Sequence, residues 1–504
     1  MSKNYNFLYL RRLGIDTHQE PVVYMRQDCH VCRAEGFDAQ TRVRVTTDTN
    51  SVIATVHKVT SDFLSHEEAG LSEAAWALLN AQEGQKALFA HPAPNDSLSY
   101  VRGKIYGRPF TTETAAAIIN DITQGRYSDI HLAAFVTACS GSRLVNGEIT
   151  ALTEAMVNVG DRLHWDKPLV LDKHCVGGLP GNRTTPIVVS IVTAAGLTMP
   201  KTSSRAITSP AGTADTMETL APVDLSLEQI RQVVQDEGGC IAWGGAVSLS
   251  PADDILIRVE KALDLDSEGQ LVASVLSKKI AAGATHTLID IPVGATAKIR
   301  SQEYAEELAS QLVLTGQHLG LTVKTVFSDG NQPVGRGIGP ALEAHDILQV
   351  LQRKPQAPTD LIDRSLTLSG HLLEMGGAAK TGEGYRLAKT ILESGKAWAK
   401  FQAICKAQGG IRTPGKAPYT YDVKALNSGY ITYINNRLIA KLAKLAGAPA
   451  AATAGLYFLV KLGQKIDKGS ILFTLHAESK GELHYALEFL KTHPDAVRIE
   501  DEAI

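Results

Sequence analysis

The stretch Pro168-Leu169-Val170-Leu171-Asp172-Lys173-His174-Cys175-Val176-Gly177-Gly178-Leu179-Pro180-Gly181-Asn182-Arg183-Thr184 decides the fold. Residues 168–171 read as a buried strand, and the apolar run 185–195 reads as a helix. Between them, glycines at 177, 178 and 181 let the backbone approach an anion closely. The following helix points its free N–H groups and the positive end of its dipole at the same place. Lys173, Arg183 and Thr184 add an ammonium, a fork of donors and a hydroxyl. A plain strand–helix turn would use similar residues, so this loop alone does not decide the chemistry.

Working outward, a second strand (197–201) runs into Thr202-Ser203-Ser204-Arg205-Ala206-Ile207-Thr208-Ser209-Pro210-Ala211-Gly212-Thr213-Ala214-Asp215, which crowds hydroxyls around one arginine. In an open parallel sheet both loops leave the carboxyl edge of the strands and face one cleft. A third group follows on a helical segment: Asp253, Asp254, Asp266, Ser274, Ser277, Lys278 and Lys279, with Lys298 beyond the strand at 287–291. Ser274 and Lys278 stand four apart on one helical face, placed to meet one ligand. Taken singly, each of these residues fits a solvated charged face as well.

The expected fold class is α/β. A mainly helical domain (97–166, with 247–280 returning to it) accompanies a larger mixed or parallel-sheet α/β domain (167–246 and 281–424). Residues 1–95 form a β-rich N-terminal module, with strands expected at 7–10, 22–24, 43–46 and 52–59. His91-Pro92-Ala93-Pro94 is the natural linker. Residues 425–504 form an α+β C-terminal module with strands at 429–434 and 471–476 and a helix at 480–492.

With 504 residues, the chain needs several cores. Its 44% hydrophobic and 20% charged residues and formal charge of −3 describe a globular protein with no bias toward nucleic acid or a membrane surface. The N-terminus lacks the basic and apolar pattern of a secretory signal, and six cysteines scattered without a framework suit a reducing compartment, so a cytoplasmic location is expected. Cys29-His30-Val31-Cys32 has the form of half a zinc site, but no second pair follows, so no metal is expected.

Asp172-Lys173-His174 with Gly177-Gly178, Ser204-Arg205 with Gly212-Thr213-Ala214-Asp215 and Glu218, Ser250-Pro251-Ala252-Asp253, Ala273-Ser274-Val275-Leu276-Ser277-Lys278-Lys279, Asp329-Gly330-Asn331-Gln332-Pro333 and Gln408-Gly409-Gly410 together carry a resemblance. From about residue 97 to the C-terminus they resemble the signature of the thymidine and pyrimidine-nucleoside phosphorylases. The added N-terminal module resembles the long branch of that family, which also contains the nucleoside 5′-monophosphate (AMP) phosphorylases. Two departures stand out: Cys175 and Val176 replace the usual serine and threonine, and Val259 stands near the place of the arginine that holds the pyrimidine in short members, with Arg258 adjacent.

The resemblance implies a glycosyltransferase, usually a homodimer or higher homo-oligomer, that performs phosphorolysis with inorganic phosphate as co-substrate and no cofactor. The expected reaction is thymidine plus phosphate to thymine plus 2-deoxyribose 1-phosphate. The alternative is a nucleoside 5′-monophosphate giving free base and ribose 1,5-bisphosphate. By position Lys173, His174, Thr184 and Thr213 match phosphate-side residues, while Ser274 and Lys278 match residues that hold the base. In the long branch Gly178, Ser204, Arg205, Ala206, Ile207, Thr208, Ser209, Thr213, Ser274 and Lys298 match nucleotide contacts, and Asp266 matches the proton donor. His174 is a second catalytic candidate, toward base or sugar. A phosphoribosyltransferase would need an acidic Mg²⁺-binding pair beside these loops, which the sequence does not offer. A purely nucleotide-binding protein would not need polar groups on both sides of one cleft.

Overall fold

A computed structural model describes residues 6–17, 19–179, 181, 183–206, 209–263, 265 and 267–502. The chain divides into two units, Met1–Ala155 with Arg258–Ser267 and Met156–Ile257 with Glu268–Ile504.

In the first unit, β1 (Phe7–Arg12), β2 (Val22–Arg26), β3 (Arg42–Thr46), β4 (Ser51–Val59), β5 (Glu68–Leu71) and β6 (Lys86–Ala90) close into a barrel in the order β1-β5-β2-β4-β3-β6. In β3 the alternation Arg42-Val43-Arg44-Val45-Thr46 buries both valines, because successive side chains point to opposite faces. Cys29 and Cys32 fill the barrel core. Cys29 Sγ accepts the Cys32 N–H at 3.3 Å at the start of helix His30–Glu35, and the Cys32 thiol meets the Phe37 carbonyl at 3.7 Å.

Helices Leu98–Ile105, Thr112–Thr123 and Asp129–Cys139 follow. Thr111 and Ser128 open the last two with capping boxes, each accepting an otherwise unpaired N–H of the first turn. Glu148 is buried here. Its carboxylate takes the Lys104 ammonium at 2.6 and 2.7 Å and the N–H groups of Phe110 and Val145 at 2.7 and 3.0 Å. The later return to this unit is shorter than the expected 247–280. Arg258 pairs with Asp129 at 2.6 Å and the Ser267 hydroxyl bonds the Cys139 carbonyl at 2.7 Å, but helix Glu268–Ala281 groups with the second unit, through its lysines.

In the second unit the strands leading to the cleft are parallel. β7 (Leu171–Cys175), β10 (His286–Val293) and β11 (Thr322–Asp329) form one sheet in the order β11-β10-β7, and β8 (Met199–Ser203) pairs with β9 (Gly239–Trp243). Helix Thr184–Ala194 is buried at every position from Thr184 to Thr193 and packs Ile187, Val188 and Ile191 into the main core with Leu171 and Leu288. A helix without a polar face belongs inside a large domain. β12 (Gly337–Ile338) joins β13 (Tyr419–Lys424), β15 (Gly455–Phe458) and β17 (Ile471–Ala477) in an antiparallel sheet. β14 (Gly429–Ile434), β16 (Lys465–Ile466) and β18 (Val497–Glu500) make a second, with helices Asn436–Leu445 and Lys480–Thr492 beside them. Among the described residues no helix is long and apolar enough to cross a membrane.

The Lys104–Glu148 side chains are 7% and 2% exposed, so this pair falls in the regime where removing one partner strands the other charge. Glu148→Gln is expected to destabilise the first unit by about 3–5 kcal/mol, read as a fall in the urea or thermal unfolding midpoint. A loss below about 1 kcal/mol would put the pair with exposed bridges instead.

Candidate active site

Strand geometry sorts the first motif. β7 begins at Leu171 and includes Lys173, His174 and Cys175, so these residues lie in the strand and not in the loop after it. Period-two alternation sends Lys173 and Cys175 to one face and Asp172 and His174 to the other.

On the first face Lys173 is fully buried, and its ammonium donates to Thr184 Oγ1 at 2.6 Å; that hydroxyl donates to the Gly181 carbonyl at 2.9 Å. Lys173 reaches the cleft wall, whereas Thr184 does not line it and is occupied in holding the lysine. Burial pulls the Lys173 ammonium below its ordinary value. Gly177 has φ +130° and lies so near Lys298 that a Cβ would approach that residue's Cβ to 3.3 Å. A Cβ on Gly181 would come within 2.4 Å of Cys175 Sγ. Both glycines are thus required by close approach.

On the second face Asp172 is 1% exposed and accepts two ammoniums, Lys279 at 2.7 Å and Lys201 at 3.2 Å, plus the Lys173 N–H at 2.6 Å. Burial pushes the Asp172 acid up, but the two lysines outweigh it and hold it below the usual carboxylate range. Burial and the adjacent Lys201 charge lower Lys279 to about 7, against the pull of Asp172. His174 projects beside these cations. Desolvation and the charges of Lys279, Lys201, Lys278 and Lys173 hold its pKa well below the ordinary histidine value, so it is an uncharged imidazole.

These groups surround a cavity of about 380 Å³. Its walls include His174, Gly178 and Lys298 from the first side and Ser204, Arg205, Ala206, Ser209 and Thr213 from the second loop. Ser274 and Lys278 line it from helix Glu268–Ala281. Ile207, Thr208 and Asp266 lie outside the described residues. Arg205 faces the cleft already engaged: Glu218 holds it at 2.5 and 3.1 Å, Asp215 at 3.3 Å, and its guanidinium stacks 4.8 Å from the Trp243 ring centre. Asp215 also accepts the N–H groups of Ala206 and Gly212 at 2.6 and 2.9 Å, which closes the loop. Lys278 donates to Asp253 at 2.6 Å and to Ser274 Oγ at 3.1 Å.

Arg183, expected to add donors for an anion, does not reach the cleft. It is fully buried between Glu343 and Asp346, at 3.6 and 3.7 Å, and does not line the cavity. Sequence reading missed the roles of Asp172, Lys201, Lys279 and Trp243. Asp172 carried a signal, a carboxylate inside an apolar strand, which must find cations when buried. Among the described residues no group of three or more His, Cys, Asp or Glu is placed to hold a metal ion.

The four surrounding lysines lead to a titration expectation. In isotope-labelled protein the signal absent from His174→Asn should show a neutral imidazole at pH 6.5, where a free histidine is about half protonated. A midpoint at or above 6.5 would reject the cationic environment described for it.

Residues 167–398 match the family described as "Glycosyl transferase family, a/b domain", and residues 98–160 match "Glycosyl transferase family, helical bundle domain". Residues 430–494 match "Pyrimidine nucleoside phosphorylase C-terminal domain". A protein of Hahella chejuensis (strain KCTC 2396) named "Putative thymidine phosphorylase" is 64% identical over 499 residues, 99% of each chain. One of the same name from Polaromonas sp. (strain JS666 / ATCC BAA-500) is 60% identical over 496 residues, 98% of this chain and 97% of its own. In fold, the chain is similar to anthranilate phosphoribosyltransferase from Thermus thermophilus, with a TM-score of 0.52 and 20% identity over 61% of this chain and 98% of that one. On full-length relatives of such identity, the chain is a pentosyltransferase belonging to the thymidine and pyrimidine-nucleoside phosphorylase family.

Proposed function

We propose that the protein catalyses the phosphorolysis of thymidine, giving thymine and 2-deoxyribose 1-phosphate. The observation that carries this reading is that Lys201 from β8, Lys279 from helix Glu268–Ala281, Lys298 and the neutral His174 of β7 line one cavity. A phosphate oxygen attacks the anomeric carbon while the C–N bond breaks, and the bonding electrons leave on the base nitrogen. Ammoniums held in place before substrate arrives bring the attacking phosphate dianion to the carbon without reorganisation. The Gly177-Gly178 backbone and Thr213 complete the phosphate side, and Lys278 and Ser274 hold the base. Asp266 supplies the proton that makes the base a better leaving group. As written, the reaction needs inorganic phosphate and no other cofactor.

One observation favours a second reading, a nucleoside 5′-monophosphate as substrate. Lys201 and Lys279 share a single carboxylate, so the wall retains more positive than negative charge and suits a second phosphate group. Ribose 1,5-bisphosphate would then be the sugar product.

Purified protein incubated with thymidine should release thymine only when inorganic phosphate is present. Parallel incubations with AMP, CMP and UMP separate the two readings, since base release from monophosphates alone sinks thymidine. Asp266→Asn is expected to lower kcat by about 100-fold or more with KM changed little, the range of general acid catalysis. An unchanged kcat would remove Asp266 from that role.

A further inference from the structure

Two carboxylates line the cavity among the described residues, Asp253 and Asp254, and the structure treats them differently. They are successive residues in the first turn of helix Pro251–Leu263, about 100° apart around its axis. Asp253 is 2% exposed and spends its charge on Lys278 at 2.6 Å. Asp254 lines the cleft and remains exposed, and among the described residues its carboxylate makes no hydrogen bond or ion pair.

We propose that Asp254 reads the base: its carboxylate accepts a hydrogen bond from an N–H donor on the hydrogen-bonding edge of the nucleobase. This rests on the phosphorolysis reading above. Lys201, Arg205, Lys278, Lys279 and Lys298 are donors only, while a nucleobase edge presents N–H donors beside its acceptors. Lys278 and Ser274 can meet a carbonyl oxygen, but they leave the N–H beside it unmatched. Asp254 is the open acceptor next to them, and rejection of a base lacking the matching N–H follows from the unpaired carboxylate it would leave.

The charged groups acting on Asp254 are Asp253 on its own helix and Lys278 on helix Glu268–Ala281. Desolvation and Asp253 push its pKa up to about 6, and Lys278 opposes them. The carboxylate is therefore ionised at neutral pH, and as pH falls through about 6 it loses its charge and keeps only a weaker neutral carbonyl acceptor.

The test uses the full-length enzyme with whichever nucleoside or nucleotide the wild type cleaves. Asp254→Ala should lower kcat/KM for that substrate by about 10- to 150-fold, the worth of a hydrogen bond to a charged group, with KM for phosphate and the melting temperature unchanged. Asp254→Asn, which keeps a carbonyl acceptor, should fall between the two. The acid limb of the wild-type kcat/KM profile near pH 6 should be missing in both variants. Unchanged kcat/KM, or a loss that also appears in KM for phosphate, would overturn the assignment. Absence of phosphate-dependent base release by the wild type from every nucleoside and nucleotide would overturn the phosphorolysis reading instead. Calorimetric binding of free thymine or adenine to wild type and Asp254→Ala would then still judge Asp254, equal affinities counting against it.

Discussion

One buried carboxylate organises the cleft. Asp172 sits inside β7, surrounded by the core, and an isolated charge there would cost far more than a domain's net stability. It is tolerated because Lys201 arrives from β8 and Lys279 from helix Glu268–Ala281. Three segments distant in sequence are thereby fixed at one point, with the strand end carrying His174 between them. Burial and the neighbouring Lys201 charge lower Lys279 to about 7, and Asp172 opposes them.

The remaining charges divide by how completely they are matched. Arg205 is fork-bound to Glu218, pinned by Asp215 and stacked on Trp243, so its position is set before any ligand binds. Lys278 is matched by Asp253. Such groups orient a ligand with little entropy loss but add little net field. Lys201 and Lys279 share the one Asp172 carboxylate, at 3.2 and 2.7 Å. Neutral His174 adds a donor and an acceptor to the cleft wall without adding charge.

Patterns local in sequence were legible. The strand–loop–helix order around Gly177-Gly178, the capped helices opening at Thr112 and Asp129, and the alternating barrel strand at Arg42–Thr46 all follow from periodicity and turn chemistry. Partnerships over long separations were not. Arg183 reads as an anion ligand beside a glycine loop, yet Glu343 and Asp346, some 160 residues later, take it into the core. Thr184 reads as a phosphate hydroxyl and instead accepts from Lys173. β5 was invisible because Glu68-Ala69-Gly70-Leu71 is short and carries glycine and alanine, residues poor in strands, and its place is dictated by barrel closure.

The replacement of two loop hydroxyls by Cys175 and Val176 has a consistent physical reading. Val176 is buried, and the Cys175 thiol points to the Gly177 carbonyl at 3.6 Å in a space bounded by Gly181 and Asp290. Burial and the Asp290 charge raise the Cys175 pKa, so the sulfur stays a protonated thiol and adds no negative charge beside the anion site. A thiol is also a weak donor and is already engaged, so Cys175 offers no strong donor, and the hydroxyl this segment places on the cavity wall is that of Thr185. The loop also gives backbone N–H groups with open space beside Gly178. Under the proposed phosphorolysis, affinity for the anion would therefore rest on the lysines around Asp172 and on the second loop.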